Sequence, residues 1–515
     1  MFPKKISPLF LKYLPALCSG CLLTLCFPKP HLWGLAFFAL IPLMVCVQKL
    51  TPKESFYSGF IAGLVHFSTL IYWIVPTLEH FGGLHPILAV FVLALLCAYL
   101  SLYPAIFALA LKKTGFNPIV FPFLAACLWV GLEYIRTYAL TGFSWGVLGY
   151  SQYSNLLLIQ IADLSGVYGV SFLLVLTNAL GATLWIAWKE DRIKACLLPV
   201  GYTLALVAAV LFYGHQRMRA IDSQIKLAPQ AGIGVVQGNI EQDVKWSLAF
   251  KAQTIEKYHQ LSYTLAPAHP DLIVWPETAL PFYYGSDKPL SARVALGIQS
   301  LNTSFLIGSP AFETQNKKVL FFNRANMFNP EGDIIQSYDK HHLVPFGEYV
   351  PFGRYLTFLE KITAQAGDFS AGRSSFVPLE FNTHKTGVLI CFEILFPSIA
   401  SEFVKNGATF LTTLTNDAWF GYTSAPGQHF SIAVFRAVEN RRSVVRAANT
   451  GISGFIDPTG KILQTTALFT DIAIFQDLPA LATISFYTEH KDLFTWLAMV
   501  AFLVGFVVKR FNNND

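Results

Sequence analysis

The amino-acid sequence predicts a multi-pass α-helical membrane bundle joined to a water-soluble α/β domain. Three observations predict it. Of the 515 residues, 54% are hydrophobic and only 13% charged, against about 25% charged in ordinary soluble domains. Eight apolar stretches approach the roughly 20 residues of helix that a bilayer core requires. Between the seventh and the eighth, residues 215–490 change character, to short apolar runs separated by polar segments and Pro-Gly turns.

The expected spans lie at 13–27, 32–47, 56–74, 87–111, 119–138, 167–188 and 195–213, with the last at 494–508. The first two are short and meet at the turn Phe27-Pro28-Lys29-Pro30. Lys4 and Lys5 precede the first span, Lys49 and Lys53 follow the second, and Lys112 and Lys113 follow the fourth. Lys189, Arg192 and Lys194 follow the sixth, and Lys509 and Arg510 end the eighth. The alternate loops 76–86 and 140–166 hold neither Lys nor Arg, and Lys29 is the exception to the pattern. Lys and Arg collect in loops that stay in the cytoplasm. Both termini are therefore expected there, with residues 215–490 on the opposite side. The basic start followed by an apolar run looks like a signal peptide, but further spans follow, so an uncleaved anchor is expected. The domain reading is 1–214 for the helical part with about seven spans, 215–490 for the α/β part, and 491–515 for a final span and tail. Loop lysines account for the net charge of +6 without a nucleic-acid partner.

Ionisable residues inside the spans are few, with Glu133 and Arg136 the main pair. Standing three apart, they are expected to share a helix face and serve packing; a transporter carries more intramembrane charge and broken, paired helices. Seven of the eight cysteines (Cys18, Cys21, Cys26, Cys46, Cys97, Cys127 and Cys196) fall in the apolar N-terminal part, where they read as small apolar residues. Cys18-Ser-Gly-Cys21 has C-x-x-C spacing but neither a second pair nor a βαβ context, so no metal or redox role is expected.

In the polar part, runs such as 233–236, 272–275, 305–307, 388–390 and 409–414 read as buried strands, with helices near 248–265 and 397–406. Asn329-Pro330-Glu331-Gly332-Asp333 and Asp457-Pro458-Thr459-Gly460-Lys461 read as turns whose dihedrals Pro and Gly preset. About 250–270 residues suffice for a core of their own.

Three patterns here carry chemistry. In Asp271-Leu-Ile-Val-Trp275-Pro276-Glu277 an apolar strand runs into a proline that stops the ladder, placing Glu277 at a strand tip. A carboxylate shielded there by tryptophan suits a general base, though an ordinary loop carboxylate fits equally. In Tyr338-Asp339-Lys340-His341-His342, with Glu348 following, a strand ends at Lys340. An ammonium near a reacting carbonyl can hold an oxyanion, while a lone lysine is more often a solvated one. The adjacent His341 and His342 do not converge as metal ligands do. In Gly387-Val-Leu-Ile390-Cys391-Phe392-Glu393 a buried strand ends at the one cysteine outside the helical part. A helix is expected from Pro397. A thiol between a helix start and a lysine is expected to be pulled toward thiolate, with the next backbone N–H as an oxyanion donor. Taken alone, Cys391 also reads as a structural cysteine.

Together the three resemble the nitrilase, or carbon–nitrogen hydrolase, superfamily, in which Glu, Lys and Cys arrive in this order at strand ends of an α-β-β-α sandwich. Asn416-Asp417-Ala418-Trp419-Phe420-Gly421 and Arg436-Ala437-Val438-Glu439-Asn440-Arg441 fit as well. Over the whole chain, the spans, this domain and the final span resemble the apolipoprotein N-acyltransferase family of Gram-negative bacteria. Leu343-Val-Pro-Phe-Gly-Glu348-Tyr-Val-Pro351 is the most specific phrase. Gly238-Asn239-Ile240 followed by Lys245-Trp246, and Thr141-Gly-Phe-Ser-Trp145 with Gly149-Tyr150-Ser151-Gln152, add to it. The family often has Tyr after the nucleophile where this chain has Phe392, which leaves the backbone N–H intact but removes a phenol.

The resemblance implies a nitrilase-like sandwich outside the cytoplasm of a bacterial inner membrane, with Glu277, Lys340 and Cys391 as catalytic residues. It implies acyl transfer from a phospholipid, through a Cys391 thioester, to the N-terminal amine of diacylglyceryl-cysteine on a lipoprotein. Phe392 N–H would join Lys340 at the oxyanion. Glu348 and Glu393 would orient Lys340 or Glu277, or meet the amine. Trp246, Trp275, Trp419 and Asn416 would line the substrate pocket, although core or interface roles fit the tryptophans too. The implied enzyme is a monomer in membrane lipid, with no metal or organic cofactor and no nucleic acid. The alternative is a membrane-tethered amidase or nitrilase using water as acceptor, but small-amide hydrolysis does not call for seven preceding helices.

Overall fold

The structure, a computed structural model, describes residues 8–242, 248–349 and 369–512. It divides into two units: Met1–Glu79, Leu84–Gln216 and Asp492–Asp515 in the first, His80–Gly83 and Arg217–Lys491 in the second.

The first unit is helical. In chain order its helices are α1 (Pro8–Leu25), α2 (Ile41–Lys49), α3 (Pro52–Leu70), α4 (Ile74–His80), α5 (Pro86–Thr114), α6 (Phe121–Tyr138), α7 (Leu156–Ile159), α8 (Ala162–Lys189) and α9 (Leu197–Leu227). Each of the eight expected spans falls on helix, the last on a C-terminal helix at Leu493–Asn512. By length and apolarity, Pro86–Thr114, Ala162–Lys189 and Ile193–Leu227 suffice to cross a membrane, and the bent pair of α3 and α4 gives a fourth. Phe10–Leu25, Trp33–Lys49 and Leu493–Val508 are shorter apolar helices of 10–17 residues.

Local chemistry sets the boundaries. Thr51 and Glu54 close a reciprocal capping box at the start of α3, each side chain taking the other's backbone N–H. Expected as one run, 56–74 instead ends at Leu70 and resumes at Ile74 with a 50° bend. Helices α3 and α5 pack through small residues: a Cβ on Gly59 would collide with the Pro104 carbonyl, and one on Gly63 would lie 2.8 Å from Ser101 Cα. Close backbone approach through small residues is the usual device where apolar surroundings supply no hydrophobic drive.

Residues 140–155, read from the sequence as an ordinary loop, are mostly buried, with Trp145 and 147–152 inside the unit. Irregular backbone at such depth must have its polar groups bound by protein. Glu133 accepts from Leu148 N–H at 2.8 Å, and Arg136 donates to Trp145 O at 2.6 Å. Gly149 N–H donates to Ser171 Oγ at 2.9 Å, and Gln152 Nε2 to Trp33 O at 2.9 Å. Glu133 and Arg136 thus hold the backbone of the segment that follows their helix, where the sequence suggested a mutual pair.

The second unit contains two six-stranded sheets. Strands β1 (Gln230–Gln237), β2 (Leu272–Val274), β3 (Ser304–Gln315), β4 (Lys318–Phe328), β5 (Ile334–Asp339) and β12 (Ile472–Pro479) form one, in the order β12-β1-β2-β3-β4-β5. Strands β6 (Leu379–Phe381), β7 (His384–Ile390), β8 (Phe410–Thr415), β9 (Ser443–Ala448), β10 (Gly454–Ile456) and β11 (Ile462–Thr465) form the other, in the order β11-β10-β9-β8-β7-β6. Each has a parallel centre, β1-β2-β3 and β7-β8-β9, flanked by antiparallel strands. Helices α10 (Leu248–Tyr263) and α11 (Lys288–Leu301) pack with the first sheet; α12 (Pro397–Lys405) and α13 (Ala425–Asn440) pack with the second. The short α14 (Phe486–His490) precedes α15 (Leu493–Asn512). This is the expected α-β-β-α sandwich. Parallel strands covered on both faces read as unbroken apolar runs, and β8 and β9 are buried along their whole lengths.

The first core gathers Ile255, Tyr258, Ile273, Trp275, Ile298, Phe305 and their neighbours. Trp275 is wholly buried, stacked on Tyr258 at 4.9 Å, edge-on to Phe305 at 5.7 Å, and its indole N–H donates to Ser262 Oγ at 3.0 Å. Of the pocket-wall and core roles that fit Trp275 in the sequence, the structure places it in the core, beside the strand leading to Glu277.

Candidate active site

Three strand ends build the site. After β2, Trp275 N–H still bonds Leu306 O at 2.9 Å, Pro276 stops the ladder, and Glu277 follows. Only glycine fits beside this corner: a Cβ on Gly308 would stand 2.8 Å from Glu277 Cα. Lys340 follows β5, and its N–H donates to Asn323 O at 2.8 Å. Cys391 follows β7 with φ +53°, a left-handed conformation that a side chain disfavours. Strain of about 1–3 kcal/mol of this kind persists where the surroundings enforce it, and here it turns the thiol out of the strand direction as a nucleophile elbow does.

The charges converge. Lys340 Nζ, 1% exposed, lies 2.9 Å from Glu348 Oε1 and 3.6 Å from Glu277 Oε1. Asn323 Nδ2 bridges the same two carboxylates, donating to Glu277 Oε1 at 2.7 Å and Glu348 Oε1 at 3.1 Å. The other oxygen of Glu277 accepts from Asn416 N–H at 2.9 Å. Burial works against the Lys340 charge, but Glu348 and then Glu277 outweigh it and hold the ammonium above the ordinary lysine range. Cys391 is partly open to the surface. Burial nevertheless pushes its thiol up, Glu277 adds to the rise, and Lys340 only partly offsets them. This corrects the expectation of a thiol pulled toward thiolate. The resting group is S–H, and a nearby base is needed to make it a nucleophile.

The supporting carboxylates separate in the structure as they do not in the sequence. Glu348 holds Lys340 directly and closes its own loop by accepting from Val344 N–H at 2.8 Å. Glu393, fully buried, accepts from Ile390 N–H at 2.7 Å, Tyr338 Oη at 2.7 Å, His341 N–H at 2.8 Å and His342 N–H at 3.1 Å. It therefore ties the Cys391 strand end to the Lys340 strand end. Burial raises its pKa, opposed by these donors.

Of the expected pocket residues, Asn416 is 2% exposed. Besides its backbone bond to Glu277, its side chain donates to Gln242 Oε1 at 2.7 Å and accepts from Asn449 Nδ2 at 3.1 Å. Trp419 stands edge-on to Phe81, also in the second unit, at 4.8 Å. Phe392 is partly exposed beside Cys391, 5.4 Å from the Phe396 ring. Trp246 lies outside the described residues. His341 Nδ1 donates to Gly372 O at 2.9 Å.

The sequence reading missed Asn323 and a buried group formed by Asp417, His429 and Arg446. Asn323 sits in a strand with no motif around it. Arg446 did carry a signal: a lone charge within Ser443-Val-Val-Arg-Ala-Ala448, a wholly buried strand, demands a buried partner. Asp417 accepts from Arg446 Nη2 at 2.8 Å.

Residues 19–180 match the family described as apolipoprotein N-acyltransferase N-terminal domain, and residues 232–480 match carbon-nitrogen hydrolase. A Geobacter metallireducens protein named apolipoprotein N-acyltransferase is 39% identical, over 94% of this chain and 92% of its own. A Chlorobaculum tepidum protein of the same name is 32% identical, over 93% of each chain. One from Pasteurella multocida is 31% identical, over 93% of this chain and 91% of its own. The strand-end Glu, Lys and Cys thus sit in a chain that matches these relatives over more than nine-tenths of its length, and it belongs to the apolipoprotein N-acyltransferase family and is an acyltransferase.

Proposed function

We propose that this enzyme moves an acyl chain from a phospholipid to the N-terminal α-amine of a diacylglyceryl-cysteine lipoprotein, through a thioester on Cys391. The observation that carries this reading is the convergence at three strand ends of Lys340 and Glu277, 3.6 Å apart, on a Cys391 thiol whose ionisation both influence. Glu277 takes the thiol proton, and Cys391 Sγ attacks the ester carbonyl. Lys340 and the Phe392 N–H hold the oxyanion. The C–O bond then breaks, and the lysophospholipid alkoxide leaves with the proton from Glu277. In the second half the amine attacks the thioester carbonyl, Glu277 accepts the amine proton, and the thiol regains a proton as the C–S bond breaks. Two easier steps replace one hard transfer, with ping-pong kinetics as the mark. Glu348 and Asn323 keep Lys340 and Glu277 in place, and Glu393 fixes the backbone around both Lys340 and Cys391. Names of the relatives support the lipoprotein acceptor.

The test is intact-mass analysis of the full chain in detergent with phosphatidylethanolamine. One acyl mass is expected on Cys391, removable by mild hydroxylamine and absent in Cys391→Ala. Adding a diacylglyceryl-cysteine peptide with a free amine should discharge it onto that amine, and prior acetylation of the amine should block discharge. Discharge to water alone would favour the hydrolase; triacylated product from Cys391→Ala would end the covalent scheme.

The loop lysines support a bacterial inner-membrane placement with residues 215–490 on the periplasmic side. A reporter active only outside the cytoplasm, fused near Gln315, is expected to be active. Activity from a cytoplasmic reporter there instead would overturn this orientation and the substrate assignment with it.

A further inference from the structure

Behind Cys391 lies a buried group that the scheme above does not use. His429, on α13 and 1% exposed, points Nε2 at the carbonyl oxygen of Cys391, 3.3 Å away. A carbonyl only accepts, so Nε2 carries the hydrogen. At the other side of the ring, Nδ1 lies 2.9 Å from Arg446 Nη2 and 3.1 Å from Asp417 Oδ1. Arg446 only donates, and it is itself held by Asp417 Oδ2 at 2.8 Å and donates to Ile452 O at 3.1 Å. Asp417 Oδ1 is turned to Thr415 Oγ1 at 2.9 Å. Burial, and then Arg446, hold the His429 pKa below the ordinary histidine value. A ring with its proton on Nε2, accepting from Arg446 at Nδ1, satisfies the Cys391 and Arg446 contacts, while Asp417 is held by Arg446 and Thr415. Three elements converge to fix that tautomer: α13 through His429, β9 through Arg446, and the end of β8 through Asp417. The packing leaves no slack, since a Cβ on Gly451 would collide with Asp417 Oδ2.

The carbonyl that His429 holds belongs to the Cys391–Phe392 peptide. A trans peptide is planar, with its C=O and N–H pointing opposite ways. Anchoring the oxygen on one side therefore aims the Phe392 N–H to the other. It also polarises that N–H, because hydrogen bonds in series strengthen one another. The same contact restrains the left-handed backbone of Cys391.

We propose that His429 is a positioning residue for the oxyanion side of this site: its Nε2–H fixes the Cys391–Phe392 peptide so that the Phe392 N–H faces the reacting carbonyl oxygen. This rests on the acyl-enzyme reading above, in which that N–H is an oxyanion donor. Nothing in it requires His429 to exchange a proton during turnover.

The test compares two reactions of Cys391 in the full chain. Acylation by p-nitrophenyl butyrate, or by phosphatidylethanolamine, builds an oxyanion; alkylation by iodoacetamide does not. In His429→Phe, acylation is expected to fall about 10²-fold, the low end of the loss of one oxyanion donor, while alkylation stays near the wild-type rate. His429→Gln, whose amide can still donate to a carbonyl, should recover part of the acylation. Acylation near wild type in His429→Phe would overturn the proposal. So would a parallel fall in both reactions, which would make His429 a packing residue only. A measurement on the wild-type chain stands apart from folding of the variants: nitrogen-15 NMR of labelled histidine, with the His429 signal identified by its loss in His429→Gln, should show a ring protonated on Nε2. A proton on Nδ1 alone would overturn the proposal as well. Wild-type acylation by the ester but not the phospholipid would sink the donor assignment while leaving the His429 comparison valid.

Discussion

Glu277→Gln is expected to slow formation of the Cys391 acyl-enzyme at pH 7 by about 10²–10⁴-fold, the range general-base catalysis supplies. The size follows from the state of the thiol. Burial and the Glu277 charge push the Cys391 thiol pKa up, so the attacking sulfur is expected to lose a proton as it reacts. Glutamine keeps the shape and can keep the contacts. Its oxygen can accept from Asn416 N–H, which now meets Glu277 Oε2 at 2.9 Å. Its NH₂ then faces Asn323, whose Oδ1 is buried without a hydrogen-bond partner among the described residues. A flip of the Asn323 amide would turn that oxygen toward the glutamine at the expense of its bond to Glu348, so the melting temperature of the variant is read beside its rate. The pH profile separates a base from a mere support. Removing Glu277 removes one cause of the raised thiol pKa, so the variant's thiol ionises at lower pH than the wild-type one. Solvent then does increasingly, as pH rises, what Glu277 does at pH 7. The gap between variant and wild type, read as acyl-enzyme formation by intact mass, should narrow toward pH 9–10. A gap that stays constant over that range would mean Glu277 acts otherwise than as the base.

Glu277 and Cys391 were legible in the sequence because each follows an apolar run that β-strand burial explains, with proline marking the end of one; Lys340 follows the largely exposed edge strand β5, and the order of the three came from the resemblance. The central strands were legible for the same reason, at runs such as 272–275 and 409–414, while their assembly into a sandwich came from the family resemblance. What escaped was set by contacts between distant segments. The direction of the Cys391 shift depends on burial and on Glu277, 114 positions away in sequence, where local context suggested a helix start and a lysine. Asn323 bridges two carboxylates only because β4 lies beside β5. Glu133 and Arg136 have the spacing of a helical pair, yet buried loop carbonyls and N–H groups need partners more than the two side chains need each other. For Trp275 the sequence left a pocket wall and a core residue both open, and its ring fills the core between α10 and the sheet.

Lys340→Met is expected to do two separable kinds of damage. Acyl-enzyme formation should fall at least about 10²–10³-fold, as loss of one oxyanion donor does. Stability should fall by about 3–5 kcal/mol, as when one partner of a buried ion pair is removed. The second effect comes from what remains: Glu277 and Glu348, both largely buried and bridged by one asparagine amide, lose the ammonium that stands 3.6 and 2.9 Å from them. Neutralising Glu348 in the same chain should relieve most of that cost, because a single buried carboxylate with Asn323 and Asn416 as donors is tolerable. Lys340→Met/Glu348→Gln should therefore recover much of the melting temperature in detergent and none of the acylation rate. Lys340→Arg should not rescue either, since a planar fork cannot take the place of a compact ammonium between two carboxylates. If the double variant regained acylation together with stability, Lys340 would be a structural counter-ion and the oxyanion would be held by backbone alone. Recovery of stability without rate is what assigns the lysine to the reaction itself.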